Sequence, residues 1–444
     1  MTRKVVFCLA LVGLLGLSGQ AHALIGTIDD VPAATLLLPF FEVDNGDPNG
    51  VTTLFSINNA SATAILTHVT VWSDQSVPVV DFDVYLTRFD VVTINLRDIL
   101  VNGNLPRTAS AGQDTVGDTI SPQGPISQDI NFASCSGILP YTNPAISASF
   151  RAHLQAWLIG NTSPVTGNCA GANFDGSRSA KTNNIMRGYV TVDTVNACNL
   201  LFPAQLATGY DAFLTDQNVI WGDYFYVNPG QNFAQGETLV HIEACRPPGS
   251  GVGDNPPGNL AECPFVPGDH TFYGRYASAT AIDQREPLAT TFAVRYINGG
   301  AFNGGTDFLV WREGDSAAAG YSCAQAGPPS WYPLPATQIV LFDEEENPVQ
   351  QEDCPSGDPT CEQEIVIPNE AQRVDVAGDL LAPFDFGWAF LNLQHTEIIA
   401  AYGDDDAQAW VTAVMDAEGR FSVGFDAIQL DNANNPNTII LPVQ

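Results

Sequence analysis

Apolar and polar residues alternate with period two through much of the chain. Between residues 65 and 72, Ile65, Val69 and Val71 share one face with Thr67; between 80 and 87, Val80, Phe82, Val84 and Leu86 oppose Asp81, Asp83, Tyr85 and Thr87. Such alternation predicts half-buried antiparallel strands, with clusters of Gly, Asn, Asp and Pro as the turns between them. Helical periodicity is scarce. Short helical turns are expected at Leu96 to Leu100 and Asp379 to Leu381, while 30 prolines and 39 glycines leave little room for long helices.

The order of strand-like blocks occurs twice. Thr52 to Asn58, Val69 to Trp72, Val84 to Leu86, Val92 to Leu100 and Gly188 to Val192 align with Thr290 to Asn298, Phe308 to Trp311, Ile339 to Phe342, Val374 to Leu381 and Gly387 to Leu391. A diverged duplication follows, and with it an all-β fold class: two related immunoglobulin-like antiparallel β-sandwiches. The expected boundaries are a first sandwich over 24–244 with a loop-rich, disulfide-bearing insertion at 101–186, and a second sandwich over 287–444. A Pro/Gly/Cys-rich connector spans 245–286. Within the insertion, Ser149 to Ile159 reads as a further strand or two.

Residues 1–23 change the picture of compartment. Arg3 and Lys4, the apolar run from Val5 to Leu17, and Ala21-His22-Ala23 read as a signal peptide cleaved near Ala23, so the expected localisation is secreted or periplasmic. Cys8 leaves with it. Eight cysteines remain, Cys135, Cys169, Cys198, Cys245, Cys263, Cys323, Cys354 and Cys361, an even number suited to disulfides in an oxidising compartment. Spacing does not determine connectivity. Short closures would pair Cys135 with Cys169, Cys245 with Cys263 and Cys354 with Cys361, leaving Cys198 for Cys323. No later stretch is long and apolar enough to span a membrane.

Acidic residues outnumber basic ones 49 to 16, for a net charge of −33, and Lys181 is the one lysine beyond the signal. A field of that sign repels phosphate backbones, so nucleic-acid binding is disfavoured. Divalent cations are the sharper alternative to simple solvation. Asp44, Asp47 and Asn49 place oxygen ligands at alternating positions before Gly50, as in a calcium loop, but Ser56 stands where a bidentate glutamate belongs. A hairpin turn is the expected reading, with a partial calcium site as the alternative; the pattern points to no other cofactor.

Catalytic patterns are sparse. There is no G-x-S-x-G elbow; Gly314-Asp315-Ser316 follows a strand and reads as a turn; and His68, His153, His241, His270 and His395 form no metal-ligand spacing. Trp157, Trp221, Trp331 and Tyr332 could stack on sugar rings, with Trp331 and Tyr332 favoured by their proline-rich loop. Trp72, Trp311, Trp388 and Trp410 lie within strand patterns and are expected in the core.

The stretch from Ala34 to Leu100 resembles a group of exported bacterial proteins without established activity. The similarity rests on Ala34-Thr35-Leu36-Leu37-Leu38-Pro39-Phe40-Phe41, Phe55-Ser56-Ile57-Asn58-Asn59-Ala60 and Asp81-Phe82-Asp83-Val84-Tyr85-Leu86. It implies an exported bacterial protein and carries no functional residues across. The sequence thus points to an exported noncatalytic structural or interaction protein with a protein or glycan partner. The alternatives are a carbohydrate-binding or adhesin-like module, and a secreted hydrolase whose carboxylates are assembled by the tertiary structure.

Overall fold

The structure, a computed structural model, describes residues 31–108, 130, 132–172, 183–245, 270–277, 283–315, 319–323, 329, 331–351, 365–395, 407–431 and 433. Residues 1–23, read above as a signal, and Cys263, Cys354, Cys361, Lys181 and Ser316 lie outside them. Within them the protein is mostly β and its sheets are antiparallel, as the alternation predicts.

The first half supplies β1 (Thr35–Asp44), β2 (Thr52–Asn59), β3 (Ile65–Ser73), β4 (Pro78–Leu86), β5 (Val91–Asn95), β6 (Ile185–Val195), β7 (Ile220–Trp221), β8 (Asp223–Asn228), β9 (Phe233–Thr238) and β10 (Val240–Ile242). The second supplies β11 (Thr291–Ile297), β12 (Gly305–Arg312), β13 (Gln338–Phe342), β14 (Pro348–Gln351), β15 (Ala371–Asp375), β16 (Phe386–Asn392), β17 (Ala409–Asp416), β18 (Ser422–Asp426) and β19 (Ile428–Gln429). One sheet of the first half runs β10-β1-β6-β3-β4 and the other β5-β2-β8-β9, with β7 also on β2. The second half repeats this as β19-β11-β16-β13-β14 and β15-β12-β17-β18. Apart from β7, every strand of one half has a counterpart in the same place and chain order in the other.

The correspondence differs from the sequence alignment in its first three blocks. By position in the sheets β2 matches β12 and β3 matches β13, each one strand later than the blocks suggested; the last two blocks, β5 with β15 and β6 with β16, match as aligned. Alternating strands look alike, so a short block slides by a whole strand without penalty. A glycine prevents this in the last block. Gly188 lies against the Trp72 carbonyl of β3, and Gly387 against the Phe342 carbonyl of β13, so closely that a Cβ at either would overlap that oxygen. The two glycines therefore mark equivalent points, and make Trp72 the counterpart of Phe342, Tyr189 of Trp388, Asp193 of Asn392 and His68 of Gln338.

The halves share their interior. One apolar cluster joins Leu36, Leu38, Phe55, Ile57, Val69 and Val190 to Leu309, Trp311, Trp410 and Val414 from β12 and β17. Phe308 and Val310, which alternate with those β12 residues, belong to a second cluster with Phe292, Ile339, Leu391 and Val411. The sheet containing β12 is thus apolar on both faces, and the two halves meet through core contacts.

Three sequence expectations are corrected. The strands β3 and β4 are not half-buried: His68, Thr70 and Asp83, on the face expected to meet water, are inaccessible. That face is covered by side chains from 203–212, 270–277 and 283–286, so the two described stretches of the expected connector, 270–277 and 283–286, pack against the sheet. Second, Ser149 to Ile159 is not strand but lies in α1 (Ala148–Leu158), capped by Ser147 accepting from the Phe150 amide and burying Leu154, Trp157 and Leu158. Third, the disulfides are Cys135–Cys198 and Cys169–Cys323, not Cys135–Cys169 and Cys198–Cys323. The backbone brackets the second bond, since Cys169 and Tyr321 exchange amide-to-carbonyl hydrogen bonds of 2.9 and 2.8 Å. Spacing along the chain gave no access to that pairing. Cys245 is also disulfide-bonded.

Candidate functional site

The 44–50 loop is a hairpin turn whose centre is already taken by a cation. Asp44 Oδ1 accepts from the amides of Gly46 and Asp47, and Asp47 Oδ1 from that of Asn49. The Arg97 guanidinium donates to the carbonyls of Asp44, Asp47, Gly50 and Val51 at 2.7 to 3.0 Å. A guanidinium thus occupies the loop's carbonyls, and the amide bonds to Asp44 and Asp47 are those of the hairpin turn the sequence suggests. Among the described residues no group of three or more His, Cys, Asp or Glu is placed to hold a metal. Adding calcium is therefore expected to leave the melting temperature unchanged, whereas Arg97→Ala should cost about 1–3 kcal/mol, because carbonyls arranged around a cation lose their donor. Thermal melts of both proteins with and without calcium check this.

The favoured stacking pair is not a platform either. Trp331 is 4% exposed and packs in the first cluster, where Tyr332 lies half-buried against it. A proline-rich loop held down on a core hides its aromatics.

Titratable side chains concentrate beneath the segments that cover β1, β6, β3 and β4. Thr35, Asp193, His68 and Asp83 stand side by side across those four strands. Asp193 accepts from Thr35 Oγ1 at 2.5 Å, Tyr210 Oη at 2.7 Å and Tyr273 Oη at 2.9 Å, with Arg285 Nε 3.6 Å away. Arg285 also pairs with Asp283 at 3.4 Å and donates to Thr35 Oγ1. His68 Nδ1 lies 3.0 Å from Asp83 Oδ1, and its Nε2 3.8 Å from Asp81. Burial disfavours the imidazolium, but Asp83, Asp81 and Asp193 outweigh it and push His68 up to about 9.

A second network sits where the halves meet. Arg275 pairs with Glu370 at 3.3 Å and donates to Tyr189 Oη and Ser76 Oγ, while its neighbour Tyr276 stacks on Trp72. His270 Nε2 meets Glu313 Oε2 at 2.7 Å, and Gln408 donates to the same oxygen. Burial raises the Glu313 carboxyl, yet His270 and Arg275 prevail and hold it below the ordinary range; Glu370 is pushed up to about 8 by burial despite Arg275. Both glutamates are inaccessible to solvent.

The accessible chemistry lies instead on the outer face of the β5-β2-β8-β9 sheet. Cross-strand register puts Val91 and Trp221 beside Asn58, Thr93 beside Ser56, and Phe225 beside Leu54, all facing away from Phe55 and Ile57 of the core. Val91, Trp221 and Phe225 are 60, 42 and 46% exposed. Phe225 lies flat because its ring spreads over Gly236 of β9. Between the aromatics, Ser56 Oγ donates to Asp223 Oδ1 at 2.6 Å and accepts from Asn58 Nδ2 at 2.8 Å. Trp221 and Phe225 pair with positions four residues apart on β2, so about 13 Å separates them along the strand.

No protein-family model, curated protein or solved structure matches this chain. The site must be read from its own geometry. Sequence reasoning named Trp221 but missed Phe225, although the signal was present: in Trp221-Gly222-Asp223-Tyr224-Phe225-Tyr226 one alternating phase holds Trp221, Asp223 and Phe225 and the other the buried Tyr224 and Tyr226.

Proposed function

We propose that this is an exported, noncatalytic interaction protein that meets its partner through the outer face of the β5-β2-β8-β9 sheet. The observation that carries this reading is the exposure of Val91, Trp221 and Phe225 on one ordered face. Exposed aromatics set around hydrogen-bonded polar groups suit a contact surface, because aromatic anchors dominate the energetics of such surfaces. The burial of the strongest titratable groups supports a noncatalytic role. The sequence features of the first 23 residues and the disulfides support export.

A glycan partner is the second reading, favoured by the flat Phe225 ring and the Ser56–Asp223–Asn58 chain between two aromatics. Sugars present apolar ring faces edged by hydroxyls, and about 13 Å spans a short oligosaccharide. Trp221→Ala/Phe225→Ala should still fold cooperatively, at a cost of about 1–3 kcal/mol, since about half of each ring is buried. It should lose at least tenfold in affinity for whatever ligand the wild type captures on a glycan array or in quantitative pull-down. Equal capture by the two proteins would remove this face from consideration, and binding to proteins but not glycans would decide against the second reading.

A further inference from the structure

The repeat places a second, open receptor surface on the other half. In the first half, the stacked pair Trp72 and Tyr189, 5.5 Å apart and 4° from parallel, is covered by the chain's own segment 270–277. Tyr276 stacks on Trp72 at 6.1 Å and 9°, and the Arg275 guanidinium donates to Tyr189 Oη at 3.1 Å. The equivalent pair in the second half is Phe342 and Trp388, also stacked, 4.2 Å apart and 7° from parallel. Here Trp388 is only half-buried and lines a cavity of about 660 Å³ together with Arg295, Asp343, Glu344, Glu346 and Asp426. A strand tryptophan expected in the core instead floors a pocket.

We propose that this cavity receives an aromatic segment carrying arginine or lysine from another protein, in the way the first half receives Arg275 and Tyr276 from its own chain. Four carboxylates face one guanidinium around the pocket, so the field selects a cation, and Trp388 offers the ring face on which a guanidinium or aromatic ring stacks. A volume of this size accommodates one or two large side chains. A second copy of the chain is a poor occupant, because each copy carries −33 and like charges repel. The site is separate from the Trp221 and Phe225 face and does not depend on it.

The probe is a fluorescently labelled, end-capped peptide with the sequence of residues 270–277, titrated with the full-length protein and read by anisotropy at low and moderate salt. Binding should weaken with salt, fall at least tenfold in Trp388→Ala, and fall severalfold with a flattened salt dependence in Glu344→Gln/Glu346→Gln. That double variant lies on an exposed turn, so it preserves the test should Trp388→Ala misfold. The same peptide with glutamate in place of arginine should not bind. No binding by the wild type, equal binding by the variants, or equal binding of the glutamate peptide would overturn the proposal, as would a wild-type dimer in sedimentation equilibrium that Glu344→Gln/Glu346→Gln dissociates. Trp221→Ala/Phe225→Ala should bind the peptide normally, which separates failure here from failure of the other face.

Discussion

Arg285→Met is expected to destabilise the protein by about 3–5 kcal/mol, because it strips the cation from a buried cluster and leaves its carboxylates without compensation. Arg285 is 1% exposed and stands between Asp193 and Asp283, both inaccessible. Methionine approximates the aliphatic stem, so the measured cost is electrostatic more than steric. The repeat supplies the compensating change: the counterpart of Asp193 is Asn392, which occupies the same sheet position without a charge. Asp193→Asn alone should also destabilise, since Arg285 then loses one of the two carboxylates paired with it. Combined with Arg285→Met it should recover part of the loss, giving a coupling energy of about 1–3 kcal/mol in a double-mutant cycle measured by denaturant unfolding. Additive costs would mean that the two residues contribute independently.

The second large effect is a dependence of stability on pH set by His68. Its folded value of about 9 lies above its ordinary 6.5, so the folded state holds the proton more tightly than the unfolded chain. The stabilisation this confers is complete below pH 6.5 and is lost as the pH rises through 9, amounting to on the order of 3 kcal/mol. Asp83, pushed up to about 6 by burial against the pull of His68, has titrated before this window opens. Glu370, at about 8, adds a decline of the same sign that runs from its ordinary 4.5 upward. His68→Gln isolates the histidine, copying the Gln338 found at the equivalent place in β13. Urea unfolding of both proteins at pH 6.5 and 9.5 should show the wild type more stable at the lower pH and the difference between the two proteins shrinking at the higher. A constant difference across that range would show that His68 is neutral when folded.

Much of the architecture was written locally. Period-two alternation located β2, β3, β4, β12 and β16, and the Asn-Gly-Asp-Pro-Asn-Gly run at 45–50 is the turn it promised to be. The helix at Ala148–Leu158 was misread as strand: Phe150, Leu154, Trp157 and Leu158 recur at helical spacing, but the glycine and serine around them hid the pattern. The candidate face was half legible: Trp221 was visible, while Phe225 needed its alternating phase to be followed through Gly222.

What the sequence by itself determined is therefore the β class, most strand positions, the acidic net charge, and the existence of a repeat. The tertiary structure alone decided that Arg97 fills the 44–50 loop, that Cys135 meets Cys198 and Cys169 meets Cys323, that Trp331 is buried while Trp388 borders a cavity, and that 270–277 covers a sheet. The division has one physical origin. Strand, turn and charge patterns arise from neighbours a few residues apart, whereas each of those decisions depends on groups brought together from tens to hundreds of residues away, where many partners of the same chemical type compete and only the packing of the whole chain chooses among them.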